Sequence, residues 1–335
     1  MGLLHNRIVA FLVIFVILCS CRDDDKRTEP LKLQGLAFGT TYNITYFDKG
    51  HIDFTKSMDS LFYLVNKSMS TYIPSSDISK INNGDRTVLV DAYFKEVFQK
   101  SSKIYKDTDG FFDPTIGTLV NAWGFGPEKP LNNLDSASVK HLLKFVGFNK
   151  VELKKNKITK TSDSIYFDFN AIAKGYAVDI AGKFLETKGI TNYLIEIGGE
   201  LRSRGLNKVK NKPWKVGIEN PNFDGTRSIE KVVELNNETM ATSGNYRKFK
   251  IDSITGKKYA HIINSKTGYP AQSNLLSVSI IAKLDCADVD AYATAIMAMP
   301  LEKAKSFLKN QNQLKAFIIY SNDKGEIETF STLTF

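Results

Sequence analysis

The run Asp168-Phe169-Asn170-Ala171-Ile172-Ala173-Lys174-Gly175-Tyr176-Ala177-Val178-Asp179 puts small residues, then a lysine and a glycine, where an apolar strand turns into an amphipathic helix. A helix start offers unsatisfied N–H groups and the positive end of a dipole, and a lysine there adds a full charge. An anionic group is the natural ligand, although tight packing alone also produces such a turn. Farther along, Asp290 and Thr294 stand four residues apart on a predicted helix and project from one face. A carboxylate beside a hydroxyl is a hard oxygen pair of the kind magnesium takes, with waters and substrate phosphates completing its shell. The plainer reading is a carboxylate decorating the helix and a packed threonine. Asp288 lies roughly 200° around the helix from Asp290 and cannot join it. His261, in His-Ile-Ile-Asn-Ser-Lys-Thr-Gly, lies where a strand runs into a turn. It is a candidate proton acceptor, and a lone histidine is as readily structural.

The segments that must position these groups show two periods. Residues 41–47 alternate as a strand through Tyr42, Ile44 and Tyr46. Residues 56–70 carry Met58, Leu61, Phe62, Val65 and Met69 at helical spacing, and 92–106 repeat it with Tyr93, Val97, Ile104 and Tyr105. An irregular, aromatic-rich stretch from Asp109 to Pro130 reads as a functional loop. Strands are expected at 151–153, 157–160, 164–169, 193–197, 214–218, 231–235, 246–251, 258–263 and 275–281. Helices are expected at Ser136–Val146, Ala173–Lys188 and Asp288–Met299, with Pro300 ending the last and opening Leu301–Asn310. Leu314–Tyr320 and Glu326–Phe330 close as a hairpin. The pattern is α+β: largely antiparallel sheets with packed helices, in one compact domain of two lobes.

The N-terminus reads as a processing signal over residues 1–20. Arg7 precedes an apolar run from Ile8 to Leu18, which at about 1.5 Å per residue is too short to cross a bilayer core of about 30 Å. Leu18-Cys19-Ser20-Cys21 has the form of a bacterial lipobox, with cleavage before Cys21 and lipidation of its sulfur. Residues 21–35 are expected to be a solvated, charged linker, and 36–335 the folded domain. The protein is then tethered through a lipid anchor in the bacterial cell envelope, facing the periplasm, with inner or outer membrane undecided. Cys286 alone remains in the mature chain, so no intrachain disulfide is available and the fold rests on its core. The formal net charge is +9, spread over scattered lysines such as Lys154, Lys155, Lys157, Lys208, Lys210 and Lys212. No basic helix or aromatic-interleaved stripe is present, which argues against nucleic-acid binding. A positive field would help collect an anionic ligand.

Six segments occur in a characteristic order: Phe38-Gly39-Thr40-Thr41, the stretch from Gly110 to Gly126, Asp168–Asp179, Ile195-Glu196-Ile197-Gly198-Gly199-Glu200, Ala241–Tyr246, and Cys286–Met297. Together they resemble the ApbE family of flavin transferases over nearly the whole chain from about Leu36. The resemblance implies a T-fold-like arrangement and transfer of FMN from FAD to a Thr/Ser hydroxyl of an acceptor protein, with release of AMP and with magnesium as cofactor. The acceptor implied is a flavoprotein subunit of a membrane redox complex. The alternatives are an FAD pyrophosphatase using the same site, or a non-catalytic flavin-binding lipoprotein.

By the same resemblance Asp290 and Thr294 bind the metal together with the Ala171 carbonyl. Some relatives carry a further Asp where this chain has Ala293, which implies weaker metal affinity. The flavin nucleotide is assigned to Phe38, Tyr72, Phe111, Phe112, Asp113, Asp168, Lys174, His261 and Ile263, with Phe112, Trp123 and Phe125 equally suited to a core. Phe38 replaces a methionine common in relatives, and Asn264-Ser265 replace a usual Asp-Pro. Lys174 would serve a phosphate, Asp113 and Asp168 adenine or ribose groups, and His261 and Asp290 the catalysis. Gly198-Gly199 and Thr242-Ser243-Gly244 read as turns lining the pocket, where glycine lets backbone approach a ligand.

Overall fold

The computed structural model describes residues 29–332 apart from 132–133, 223, 225, 246–248, 252–257 and 272. The expected leader and the expected lipidation site at Cys21 lie outside the described residues. Strands β1 (Leu31–Ala37) and β2 (Thr40–Tyr46) open the domain, followed by helices α1 (Thr55–Met69), α2 (Asp77–Asn82), α3 (Ala92–Asp107), α4 (Gly117–Ala122) and α5 (Ser136–Leu143). The hairpin β3 (Val151–Lys154) and β4 (Lys157–Lys160) leads to α6 (Ala173–Thr187). Then come β5 (Tyr193–Ile197), β6 (Glu200–Arg204), β7 (Trp214–Glu219), β8 (Ile229–Leu235), β9 (Thr239–Gly244), β10 (Phe249–Ile251), β11 (Lys258–Ala260) and β12 (Leu275–Ala282). Helices α7 (Cys286–Met297) and α8 (Leu301–Lys309) and the hairpin β13 (Lys315–Ser321) and β14 (Ile327–Ser331) complete the chain.

One eight-stranded sheet, ordered β1-β2-β5-β6-β9-β12-β13-β14 and antiparallel at every pairing, carries the α+β architecture expected. Its register stacks inward side chains: Tyr42 faces Ile197, Ile44 faces Ile195 and Tyr46 faces Tyr193, all buried. On the helical face, α1 buries Met58, Phe62, Val65 and Met69 and α3 buries Phe94, Val97, Phe98 and Ile104, the stripe that a period near 3.6 produces. Helix α7 is buried nearly all round, and its alanines let it lie close to α6, β9 and β12. The ribbon β7–β8 covers the opposite face, where Ile218, Val233 and Leu235 meet Met240, Ile281 and Phe317. A smaller core of Leu119, Val139, Val146 and Ile263 forms the second lobe.

Three expectations are corrected. Folded structure begins at Leu31 rather than residue 36, because β1 pairs along its whole length with β2. Residues 164–169 are no ladder strand: Ile165, Phe167 and Phe169 are buried, but Phe167 bonds Asn82 through both backbone groups and the Asp168 N–H donates to Pro114. Thr242-Ser243-Gly244 belong to β9 inside the central sheet, not to a turn. The strand expected at 246–251 is described only from Phe249.

Candidate active site

Helices α6 and α7 cap one another. Neither has a side-chain cap of its own. The first-turn N–H of Gly175 donates to Asp290 Oδ2 of α7 at 3.1 Å. In return, Asp179 of α6 accepts the first-turn N–H groups of Cys286 and Ala287, each at 2.9 Å. Each carboxylate lies four residues into its helix from the backbone that its counterpart caps, so both sit on the shared face. Glycine is required at 175, since a Cβ there would lie 2.5 Å from the Cys286 carbonyl oxygen and 2.9 Å from Ala287 Cα.

The two carboxylates differ in company. Asp179 meets Arg202 Nη1 at 2.7 Å; burial and then Asp285 push its pKa up to about 6, against the N–H groups and the guanidinium. Asp290 is 3% exposed, and burial followed by the charge of Glu200 pushes it up to about 8, against the pull of Lys174 and the Gly175 N–H. Lys174 Nζ lies 2.5 Å from Glu200 Oε1, and Glu200 is buried at the head of β6. Two buried carboxylates, Asp290 and Glu200, thus flank the lysine at the start of α6. One turn on from Asp290, the Thr294 hydroxyl lies 3.2 Å from Ser243 Oγ of β9.

This donor set fits a magnesium ion. A buried carboxylate raised by a neighbouring acid is relieved by a divalent cation. Around it stand a hydroxyl and the α6 entry turn bearing the Ala171 carbonyl, where the flanking bonds run from Ala173 to Phe169 and from Tyr176 to Ile172. Among the described residues no group of three or more His, Cys, Asp or Glu side chains is arranged for a metal. The fit is to the Asp290 carboxylate with neutral oxygens, a set that leaves room for substrate phosphates. Asp288 turns away to Lys100 at 3.1 Å, as its angle on the helix required.

The remaining candidates divide. Phe38 sits at the β1–β2 turn with φ +53° and packs on Phe62 at 5.5 Å, beside the Gly198-Gly199 turn that contacts Thr40. Both of those glycines have positive φ, +62° and +108°, as a two-residue hairpin turn demands. Tyr72 is 58% exposed, and its hydroxyl is pushed up first by partial burial and then by the charge of Asp168. Asp168 accepts the Asn170 N–H at 2.7 Å, and burial raises its carboxyl.

Phe111, Phe112 and Ile263 are core residues, and Lys303 Nζ lies 4.6 Å over the Phe111 ring. Asp113 has both oxygens engaged: Oδ1 takes the Thr115 N–H and hydroxyl and Oδ2 the Phe148 N–H, while burial pushes the carboxyl up to about 6. His261 is half-buried against Phe125, centroids 6.4 Å apart. Its segment is tied to the end of α7 by Asn264 Nδ2 donating to the Ala298 carbonyl at 3.0 Å, and to the aromatic loop by Trp123 Nε1 donating to Gly268. Glu200 and Asp179 carry no site assignment from residue type, and Ser243 is expected only as part of a pocket-lining turn. Glu200 and Ser243 reach the site only through strand register, while Asp179 had a readable signal in its four-residue offset from Gly175.

The ApbE family model matches residues 38–318. Relatives called FAD:protein FMN transferase from Haemophilus influenzae and Vibrio cholerae are each 33% identical, spanning 98% and 96% of this chain and 97% and 96% of their own. The solved flavin transferase ApbE of Vibrio cholerae shares the fold with a TM-score of 0.79 at 32% identity, over 90% of this chain and 97% of that one. The flavinyl transferase ApbE of Pseudomonas stutzeri does so at 0.80 and 28%, over 91% and 95%. Family match, fold similarity and coverage agree along nearly all of the folded chain, and this protein belongs to the ApbE family.

Proposed function

We propose that this protein transfers FMN from FAD to a threonine or serine hydroxyl of an acceptor protein, releases AMP, and depends on magnesium. The observation that carries the reading is the buried cluster in which Asp290, Glu200 and Lys174 meet the glycine-opened start of α6. The shared name of the relatives supplies the reaction, and these residues supply a means. Asp290, Thr294 and the Ala171 carbonyl would hold the cation. Bound there, magnesium supplies electrostatic stabilisation of the charge that spreads over phosphoryl oxygens in the transition state.

Lys174 orients the FAD diphosphate from the same turn. Phe38 and Tyr72 offer aromatic surface to the rings, and Asp168 an acceptor to adenine or ribose. The acceptor hydroxyl oxygen forms its bond to the FMN-side phosphorus while the bridging P–O bond breaks. The bridging oxygen leaves with AMP, and His261 takes the hydroxyl proton. The acceptor is a flavin-carrying subunit of a membrane redox complex, and Cys21 tethers the enzyme by lipid on the periplasmic side of the envelope.

Mass spectrometry of a candidate acceptor incubated with the protein, FAD and magnesium tests this reading. The expected result is one FMN phosphoester on a Thr or Ser peptide with stoichiometric AMP, lost on chelation. Free FMN and AMP with an unmodified acceptor would make the protein a pyrophosphatase, and no AMP at all would make it a carrier.

A further inference from the structure

We propose that the end of the domain where the chain enters is a membrane-facing surface that docks on anionic phospholipid headgroups. A cleft of roughly 330 Å³ there is lined by Pro30, Lys32, Phe47, Lys210, Lys212 and Trp214. The β6–β7 loop forms its rim, held by the pairing of Asn207 with Lys212. At the loop's tip, Val209 is 53% exposed between the exposed Lys208 and Lys210. Among the described residues no carboxylate pairs with Lys32, Lys208, Lys210 or Lys212, whereas Glu234 takes the neighbouring Lys215 at 3.3 Å. An apolar tip ringed by lysines over an aromatic floor matches a surface of anionic headgroups above acyl chains.

The tether selects a membrane over an acidic protein as the occupant, and this step rests on the lipidation of Cys21 proposed above. Pro30 lines the cleft nine residues after Cys21. Even fully extended, that span holds the cleft within about 32 Å of the bilayer. β1 then runs seven residues away from this end, about 20 Å, to the turn at Phe38. Docking by the lysine-rimmed end therefore turns the flavin site outward, towards an acceptor standing above the membrane.

The described core is drawn wholly from residues after Pro30, so the mature chain with Cys21→Ser keeps the domain and loses only the anchor. Its co-sedimentation is compared on phosphatidylglycerol–phosphatidylcholine vesicles and on pure phosphatidylcholine vesicles. Binding is expected only to the former, and Lys208→Gln/Lys210→Gln/Lys212→Gln should weaken it about 100-fold, at about fivefold per lysine. Lys154→Gln/Lys155→Gln/Lys157→Gln, the same charge change on the β3–β4 hairpin, should leave it intact. Equal loss from both triple variants, equal binding to neutral vesicles, or preference for soluble polyaspartate over vesicles would each overturn the proposal. The anchor itself is read separately, from the mass of the mature wild-type chain, so its failure is distinct from failure of the docking face.

Discussion

Asp179 and Asp290 hold matching positions in the α6–α7 pair, each capping the start of the other's helix, yet one meets a guanidinium directly and the other faces a second acid. Asp179 spends its charge on Arg202, within a cluster that also ties Glu186 and Asp285 to that guanidinium. Asp290 faces a second buried acid, Glu200, and shares its lysine. The first end fixes how the helices lie; the second holds a buried acid whose charged form burial and Glu200 disfavour, the form a bound cation would favour. Stability is concentrated at one end of the pair and chemistry at the other, the arrangement expected where function sets a cost on the fold.

Substitution at each end should separate these roles. Asp290→Ala should cut FMN transfer about 1000-fold, measured as AMP release at saturating magnesium. The metal-free variant should melt only slightly below wild type, because the lost Gly175 cap is offset by removal of a disfavoured buried acid. Asp179→Ala should do the reverse in stability, costing about 3 kcal/mol by denaturant titration, since Arg202 then loses its buried partner and α7 its cap. Equal melting losses in the two variants would erase the contrast. Gly175→Ala drives a methyl against the Cys286 carbonyl and should cost about 2 kcal/mol, with an increased magnesium requirement as the helices part. Smallest is Ser243→Ala, which frees the Thr294 hydroxyl to rotate and should raise the magnesium needed for half-maximal rate about tenfold, with little change in melting.

Much of this was legible in the chain because it is local. The four-residue spacing of Asp290 and Thr294 survives into α7, and the alternation of Tyr42, Ile44 and Tyr46 survives into β2. Ile165, Phe167 and Phe169 alternate as well, but burial of every second residue marks an extended backbone and not its partner, which proved to be Asn82 and Pro114. β1 is an edge strand whose Leu36 is 82% exposed, so its apolar pattern is diluted. Phe111, Phe112 and Ile263 carry the same side chains whether they line a pocket or fill a core, and in the fold they pack into its apolar clusters. Glu200 becomes a neighbour of Asp290 through the β5–β6 hairpin and its packing on α6, a long-range fact that no spacing announces.

The central claim is that a divalent cation sits on Asp290 and Thr294 against the FAD diphosphate. Crystals grown with FAD and manganese in place of magnesium test it by anomalous scattering. The account requires a single strong peak bridging the Asp290 carboxylate, the Thr294 hydroxyl and a phosphate oxygen, absent in Asp290→Ala. A peak held by other residues, or a diphosphate bound identically with no metal beside Asp290, would contradict it.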